Sequence, residues 1–209
     1  MRIWAIVVAA GRGDRFGSAK QFLELAGRRV VDRAVDAVTA ADGVVVVLPD
    51  GRAWDGPDVA VTVPGGATRS DSVRCGLEAV PADADVIVVH DAARAVARPV
   101  LFDRVVAAVR NGADAAVPGV TPADTVKRVR DGVVAETLDR SDLVLSQTPQ
   151  AFRAALLRAA HEGEPRATDD AALVEAVGGV VTVVTGDPAN IKLTTESDLA
   201  VADALVRQS

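Results

Sequence analysis

Cysteine occurs once in this chain, at Cys75, so no internal disulfide forms and no cysteine cluster is available to a metal. Histidine is nearly as scarce: His90 and His161 are the only two, which argues against a histidine-rich zinc or iron site. Any metal is then expected to be a hard cation held by carboxylates and substrate phosphates. Tyrosine is missing, and the aromatic set is Trp4, Phe16, Phe22, Trp54, Phe102 and Phe152. That is too sparse for a platform on which bases stack. Cations are in deficit, with 23 Lys and Arg against 29 Asp and Glu and a net charge of −6. This argues against a general nucleic-acid surface but not against a local basic pocket. No apolar run approaches the roughly 18 residues of a membrane helix. Arg2 followed by Ile3–Ala10 superficially resembles a signal peptide, yet the apolar run is short and Arg12, Asp14 and Arg15 follow at once. A buried first strand is the better reading. A cytoplasmic, reduced protein is expected, with neither nucleic acid nor membrane as partner.

What is present is a chain of 209 residues, 49% hydrophobic and rich in Ala and Val, long enough for one large domain over 1–209. Strand-length apolar runs alternate with helical periodicity. Ile3–Ala9, Gly43–Leu48, Val59–Val63, Asp85–His90, Asp114–Pro118 and Val180–Thr185 read as strands. The stretch from Val30 to Val38, then Ser70–Ala79, Pro99–Arg110, Ala151–His161 and Asp169–Val177 read as helices, with Pro99 near the first turn of its helix. Thr195 with Asp198 is spaced as a capping box opening a last helix to about Val206. Such alternation predicts an α/β fold, a mostly parallel sheet with helices on both faces. Ligands of such sheets bind outside the carboxyl ends of the strands.

One segment departs from that pattern. Asp124–Leu138 (DTVKRVRDGVVAETL) alternates with period two on both sides of Asp131-Gly132, a hairpin signal. A lone two-stranded ribbon is not stable in water. Residues 121–140 are therefore expected to form an inserted β-arm that packs on something, a second subunit being the natural candidate and its own domain the alternative.

Three loops carry candidate chemistry. In Val7–Gly27 (VVAAGRGDRFGSAKQFLELAG), Gly11 and Gly13 allow a sharp turn with backbone amides aimed at an anion. Arg15 adds a fork of donors and Lys20 a point charge. This is not a P-loop, which needs a glycine, four residues and then Gly-Lys-Ser/Thr. It is not the dinucleotide fingerprint either, because Phe16 stands where the third glycine belongs. A solvated tight turn is the plain alternative. Asp91 follows a strand, and a carboxylate there suits Mg²⁺ held partly by substrate phosphates, with a loop cap as the alternative. The turn Pro64–Arg69 precedes a helix, and its amides suit a base edge or a phosphate.

The stretches AAGRGDRFGSAKQFLELAG, VPGGATRSDSVRCGL, VVHDAAR, DTVKR, QTPQAF, TDDAALVE and NIKLTTESDL occur in this order over nearly the whole chain. Together they closely resemble the 2-C-methyl-D-erythritol 4-phosphate cytidylyltransferases of the non-mevalonate isoprenoid pathway. The resemblance implies a Rossmann-like nucleotidyltransferase fold. It also implies transfer of the cytidylyl group of CTP to 2-C-methyl-D-erythritol 4-phosphate, with Mg²⁺ or another divalent cation, by a homodimer whose arms embrace the partner. Arg15 and Lys20 would be catalytic, stabilising charge on the α-phosphoryl group. Ala9, Ala10, Gly11, Gly13, Gly66, Ala67, Arg69, Ser72 and Ala92 would hold the nucleotide, with Gly66, Ala67 and Ser72 at the cytosine. Asp91, Arg94, Thr125, Arg140, Thr148, Thr168 and Lys192 would surround the sugar phosphate, with Asp91 also in the metal region. Arg140 and Lys192 match the residues that position it. The chain departs from the pattern at Ala19 and Ala95, where many relatives have Pro, and at Ala67, where an acidic residue is common.

Two other functions compete. Ribitol 5-phosphate cytidylyltransferases tend to read HDSVR where this chain has HDAAR at His90–Arg94. A non-catalytic nucleotide-binding regulator would be expected to have lost a cation, whereas Arg15, Lys20, Arg140 and Lys192 are all present.

Overall fold

The computed structural model describes residues 1–11 and 19–208. The chain opens with β1 (Ile3–Val8) and, past a 3-10 turn at Lys20–Phe22, a tight pair β2 (Glu24–Leu25) and β3 (Arg28–Arg29) leads into α1 (Val30–Asp36). β4 (Gly43–Leu48) and β5 (Val61–Pro64) precede α2 (Arg69–Ala79), then β6 (Val86–Asp91), α3 (Pro99–Arg110) and β7 (Ala115–Val120). The ribbon follows as β8 (Lys127–Arg130) and β9 (Val133–Thr137). β10 (Leu145–Ser146), β11 (Gln150–Arg153), α4 (Ala154–Ala160), α5 (Asp170–Ala176), β12 (Val181–Thr185) and α6 (Glu196–Arg207) complete the chain.

β5, β4, β1 and β6 lie side by side and run parallel. β11 is antiparallel to β6 and to β7, so β7 again runs with β6, and β12 is parallel to β7. The carboxyl ends of the parallel strands therefore share one edge. The central strands β1, β4 and β6 are largely buried on both faces, which is why they read as continuous apolar runs. Along β1, Trp4 and Ile6 pack with α2, α4 and α5, whereas Ile3, Ala5 and Val7 pack with α1 and α3. The expected α/β architecture, mostly parallel with helices on both faces, is what the chain adopts.

The helix expected from Ala151 begins three residues later. Ala151 and Phe152 belong to β11, inserted antiparallel between β6 and β7. Ala151 faces one core and Phe152 the other, a period-two burial that overrides the helical propensity of an Ala- and Leu-rich stretch. The short strands β2, β3 and β10 were not expected, because two-residue pairings leave no periodic trace. α2 and α6 both start with the capping box that a Thr and an Asp three residues on allow. In the ribbon, Asp131 and Gly132 take φ of +49° and +78°, the left-handed pair that an Asp-Gly hairpin turn requires. Every residue of β8 and β9 is exposed, including Val129, Val133 and Val134. No helix among the described residues is long and apolar enough to cross a membrane.

Candidate active site

A cavity of about 420 Å³ opens at the carboxyl edge of the sheet. Ala9, Ala10 and Gly11 line it from the end of β1, Gly66, Ala67, Arg69 and Ser72 from the turn after β5 and the start of α2, and Asp91 and Ala92 from the end of β6. Lys20 and Lys192 enter from the 3-10 turn and from the loop before α6. Eleven residues expected at the site thus meet in one cleft, although they lie as far apart in sequence as Ala9 and Lys192.

Backbone contact sets the cleft's shape. A Cβ on Gly65 would fall 2.2 Å from the Ala10 Cβ, so the first and second glycine turns touch only because position 65 has no side chain. The Ser72 hydroxyl accepts from the Gly66 amide at 3.2 Å and donates to the Thr68 carbonyl at 2.9 Å, tying that turn to the start of α2. Gln21, buried, donates to the carbonyls of Ala9 at 2.7 Å and Gly11 at 2.8 Å.

The electrostatic centre is Asp91. Its Oδ1 accepts from Arg69 Nε at 3.0 Å and its Oδ2 from Lys192 Nζ at 2.5 Å. Burial pushes its carboxyl up, but the Arg69 guanidinium and Lys192 ammonium outweigh that and hold it below the usual carboxylate range. Arg69 Nη1 donates to Asp170 Oδ2 at 2.8 Å, and the other oxygen of Asp170 lies 3.0 Å from His161 Nε2. Burial lowers the Arg69 pKa, but the two carboxylates prevail and raise it. Arg69 Nη2 and Arg94 Nε are buried donors that no described residue satisfies. Unmet donors of this kind beside a cleft suit a ligand's oxygen atoms.

His90 is fully buried, and burial lowers its pKa to about 4, so it is neutral at pH 7. Its Nδ1 lies 3.2 Å from Thr148 Oγ1, which accepts from the Asp91 amide at 3.0 Å. Thr148 and Arg94 therefore stand behind the cleft. Arg94 donates to the Asn190 carbonyl at 2.6 Å, and burial pulls its pKa down.

Three expected residues lie elsewhere. Thr125, Arg140 and Thr168 are exposed and do not line the cleft. Arg140 donates to the Ala123 carbonyl, closing the base of the ribbon. Gly13 and Arg15 lie outside the described residues. Sequence reasoning passed over Gln21, Thr68 and Asp170. Gln21 adjoins Lys20, and Asp170 is the inward member of the Asp pair in TDDAALVE, but only the fold reveals what each touches.

Among the described residues, no group of three or more His, Cys, Asp or Glu side chains is placed to hold a metal ion. Among the described residues Asp91 is the one acidic side chain lining the cavity, and each of its oxygens already accepts from a cation. This donor set fits only a cation that takes most of its ligands from phosphates and water.

Comparison with known proteins gives one answer. Residues 3–208 match the family model for 2-C-methyl-D-erythritol 4-phosphate cytidylyltransferase. The enzyme of that name from Nocardia farcinica is 46% identical over 216 residues, covering 97% of this chain and 93% of that one. A bifunctional enzyme IspD/IspF from Nitratidesulfovibrio vulgaris is 42% identical, and the chain spans 98% of itself but only 58% of that longer relative. The crystal structure of the cytidylyltransferase from Thermus thermophilus superposes with a TM-score of 0.87 at 36% identity, covering 99% of this chain and 100% of that one.

Proposed function

The chain belongs to the 2-C-methyl-D-erythritol 4-phosphate cytidylyltransferase family, and on that premise we propose that it makes 4-diphosphocytidyl-2-C-methyl-D-erythritol and pyrophosphate from CTP and 2-C-methyl-D-erythritol 4-phosphate, in isoprenoid precursor biosynthesis. The observation that carries the reading is the convergence of the first glycine turn, Lys20, Arg69, Asp91 and Lys192 on one cleft.

A phosphate oxygen of the sugar attacks the α-phosphorus of CTP, and the bond from that phosphorus to its bridging oxygen breaks as pyrophosphate leaves. The attacking phosphate has a second pKa of about 6 and is largely dianionic at pH 7, so no general base is needed. That agrees with a site whose nearest histidine, His90, is buried and neutral. Repulsion between a dianion and a triphosphate is what opposes reaction. Lys20, with Arg15, stabilises the charge that grows on the α-phosphoryl group, and Arg69 and Lys192 offset the charge around Asp91. Asp91, together with the substrate phosphates, would hold Mg²⁺ or another divalent cation, which would supply neutralisation of triphosphate charge. Gly66, Ala67 and Ser72 line the cleft, and in this reading they meet the cytosine.

The sugar-phosphate side needs more than one chain supplies. Thr125 and Arg140 sit at the foot of the exposed ribbon, away from the cleft. The protein is a cytoplasmic homodimer in this reading, and the ribbon carries Arg140 and Thr125 to the partner's cleft.

Pyrophosphate release tests the reading, with the two sugar phosphates crossed against CTP and the other nucleoside triphosphates. Turnover with methylerythritol phosphate and CTP is expected. Preference for ribitol 5-phosphate overturns the substrate, and no turnover with any pair favours a regulator.

A further inference from the structure

The first glycine turn and Lys20 are separate in sequence but are locked together by one side chain. Gln21 is 4% exposed. Its amide nitrogen has two hydrogens and two acceptors, the Ala9 carbonyl at 2.7 Å and the Gly11 carbonyl at 2.8 Å. In a trans peptide the N–H points opposite to the C=O. Turning the Ala9 carbonyl toward Gln21 therefore turns the Ala10 amide away from it. Among the described residues nothing accepts from the Ala10 or Gly11 amide, and both residues line the cleft. The 3-10 turn that carries Gln21 also carries Lys20, and it is closed by Phe22 N–H to the Ala19 carbonyl at 3.0 Å and Leu23 N–H to the Lys20 carbonyl at 3.1 Å.

We propose that Gln21 is a positioning residue that sets the polarity of the anion loop: it draws two loop carbonyls away from the triphosphate, frees loop amides for it, and fixes Lys20 in register with them. This rests on the cytidylyltransferase reading above. The residue type follows from the task. Glutamate has the same length but only accepts, so its carboxylate would face two carbonyl oxygens. Asparagine is one methylene too short to span both. Methionine fills the volume and leaves both carbonyls unpaired.

The test is calorimetric titration of the wild type, Gln21→Glu and Gln21→Met with CTP and, separately, with CMP, beside steady-state turnover. CMP occupies the nucleoside end of the cleft and lacks the β- and γ-phosphates. CTP affinity is expected to fall by roughly thirtyfold in Gln21→Glu and roughly tenfold in Gln21→Met, with kcat reduced in both and CMP affinity within about threefold of wild type. In Gln21→Glu, CTP affinity relative to wild type should recover as the pH is lowered from 8 to 5.5, because a protonated carboxyl again donates to one carbonyl. Gln21→Met buries no charge, and it carries the test should Gln21→Glu fold poorly. Equal losses for CTP and CMP would assign Gln21 to the fold alone and overturn the proposal, as would unchanged CTP affinity and kcat in Gln21→Met. A wild type that does not bind CTP would instead sink the cytidylyltransferase reading.

Discussion

At the carboxyl edge of the sheet the buried carboxylates are answered from within the chain: Asp91 by Arg69 and Lys192, Asp170 by Arg69 and His161. Along β8 and β9 every side chain is exposed, and Val129, Val133 and Val134 face water. The cleft is pre-organised because it stands on strands buried on both faces, and its charges are held before substrate arrives. Among the described residues β8 and β9 bond across to each other, and such cross-strand bonds do not hold two strands together in water. One region has its buried carboxylates met within the chain. The other has the composition of a surface that waits to be covered.

Replacing the ribbon residues 127–136 by a short Gly-Ser turn attacks the exposed side and should have the largest effect. Light scattering is expected to show the dimer mass of the wild type halved, with activity lost while circular dichroism reports normal folded content. An active monomer would show that the cleft needs nothing from a partner, and a persisting dimer would move the contact elsewhere. Mixing inactive Lys20→Ala and Arg140→Ala chains sharpens the same point, because a mixed dimer regains one complete cleft only where Arg140 acts in trans.

In the cleft, Lys20→Ala should lower kcat by about two orders of magnitude with a modest change in the Michaelis constant for CTP, since phosphoryl charge grows only toward the transition state. A variant that raised the Michaelis constant at constant kcat would make Lys20 a ground-state anchor.

Asp91→Asn tests whether the charges are answered by the fold. Losing the anion leaves Arg69 and Lys192 facing each other, and unfolding by denaturant should show a cost of about 3 kcal/mol. The carboxyl is held below its usual range, so its stabilisation is complete above about pH 4 and is lost as the pH falls further. The variant's stability should therefore be flatter than wild type below pH 4. A parallel pair of curves would deny the ion pairs any net role.

The smallest effect concerns His90. Its pKa is lowered to about 4 by burial, so the unfolded chain binds a proton there first as the pH falls from 6.5. Stability should decline through that window by on the order of 3 kcal/mol, and His90→Gln should remove the decline. Activity should show no ionisation assignable to His90 between pH 6 and 9.

The same division governed what could be read from sequence. β1, β4 and β6 are legible as apolar runs because they are largely buried on both faces, and the first glycine turn and Asp91 are legible because each ends such a run. The hairpin was legible through Asp131-Gly132. β11 was not, since its identity comes from pairing with β6 and β7 rather than from Ala and Leu propensities. Gln21 and Asp170 were passed over because each acts through a partner that only the fold supplies, Asp170 through Arg69 at a separation of 101 residues. Thr125, Arg140 and Thr168 were named through family resemblance alone, and they are exposed and do not line the cleft.

The most direct measurement of the account is phosphorus NMR of the purified protein with CTP, 2-C-methyl-D-erythritol 4-phosphate and Mg²⁺. The account predicts that the phosphomonoester resonance disappears as the paired resonances of a diphosphate diester and the single resonance of pyrophosphate grow in equal amount. Orthophosphate release from CTP with the sugar phosphomonoester left intact, or a spectrum that does not change, would contradict it.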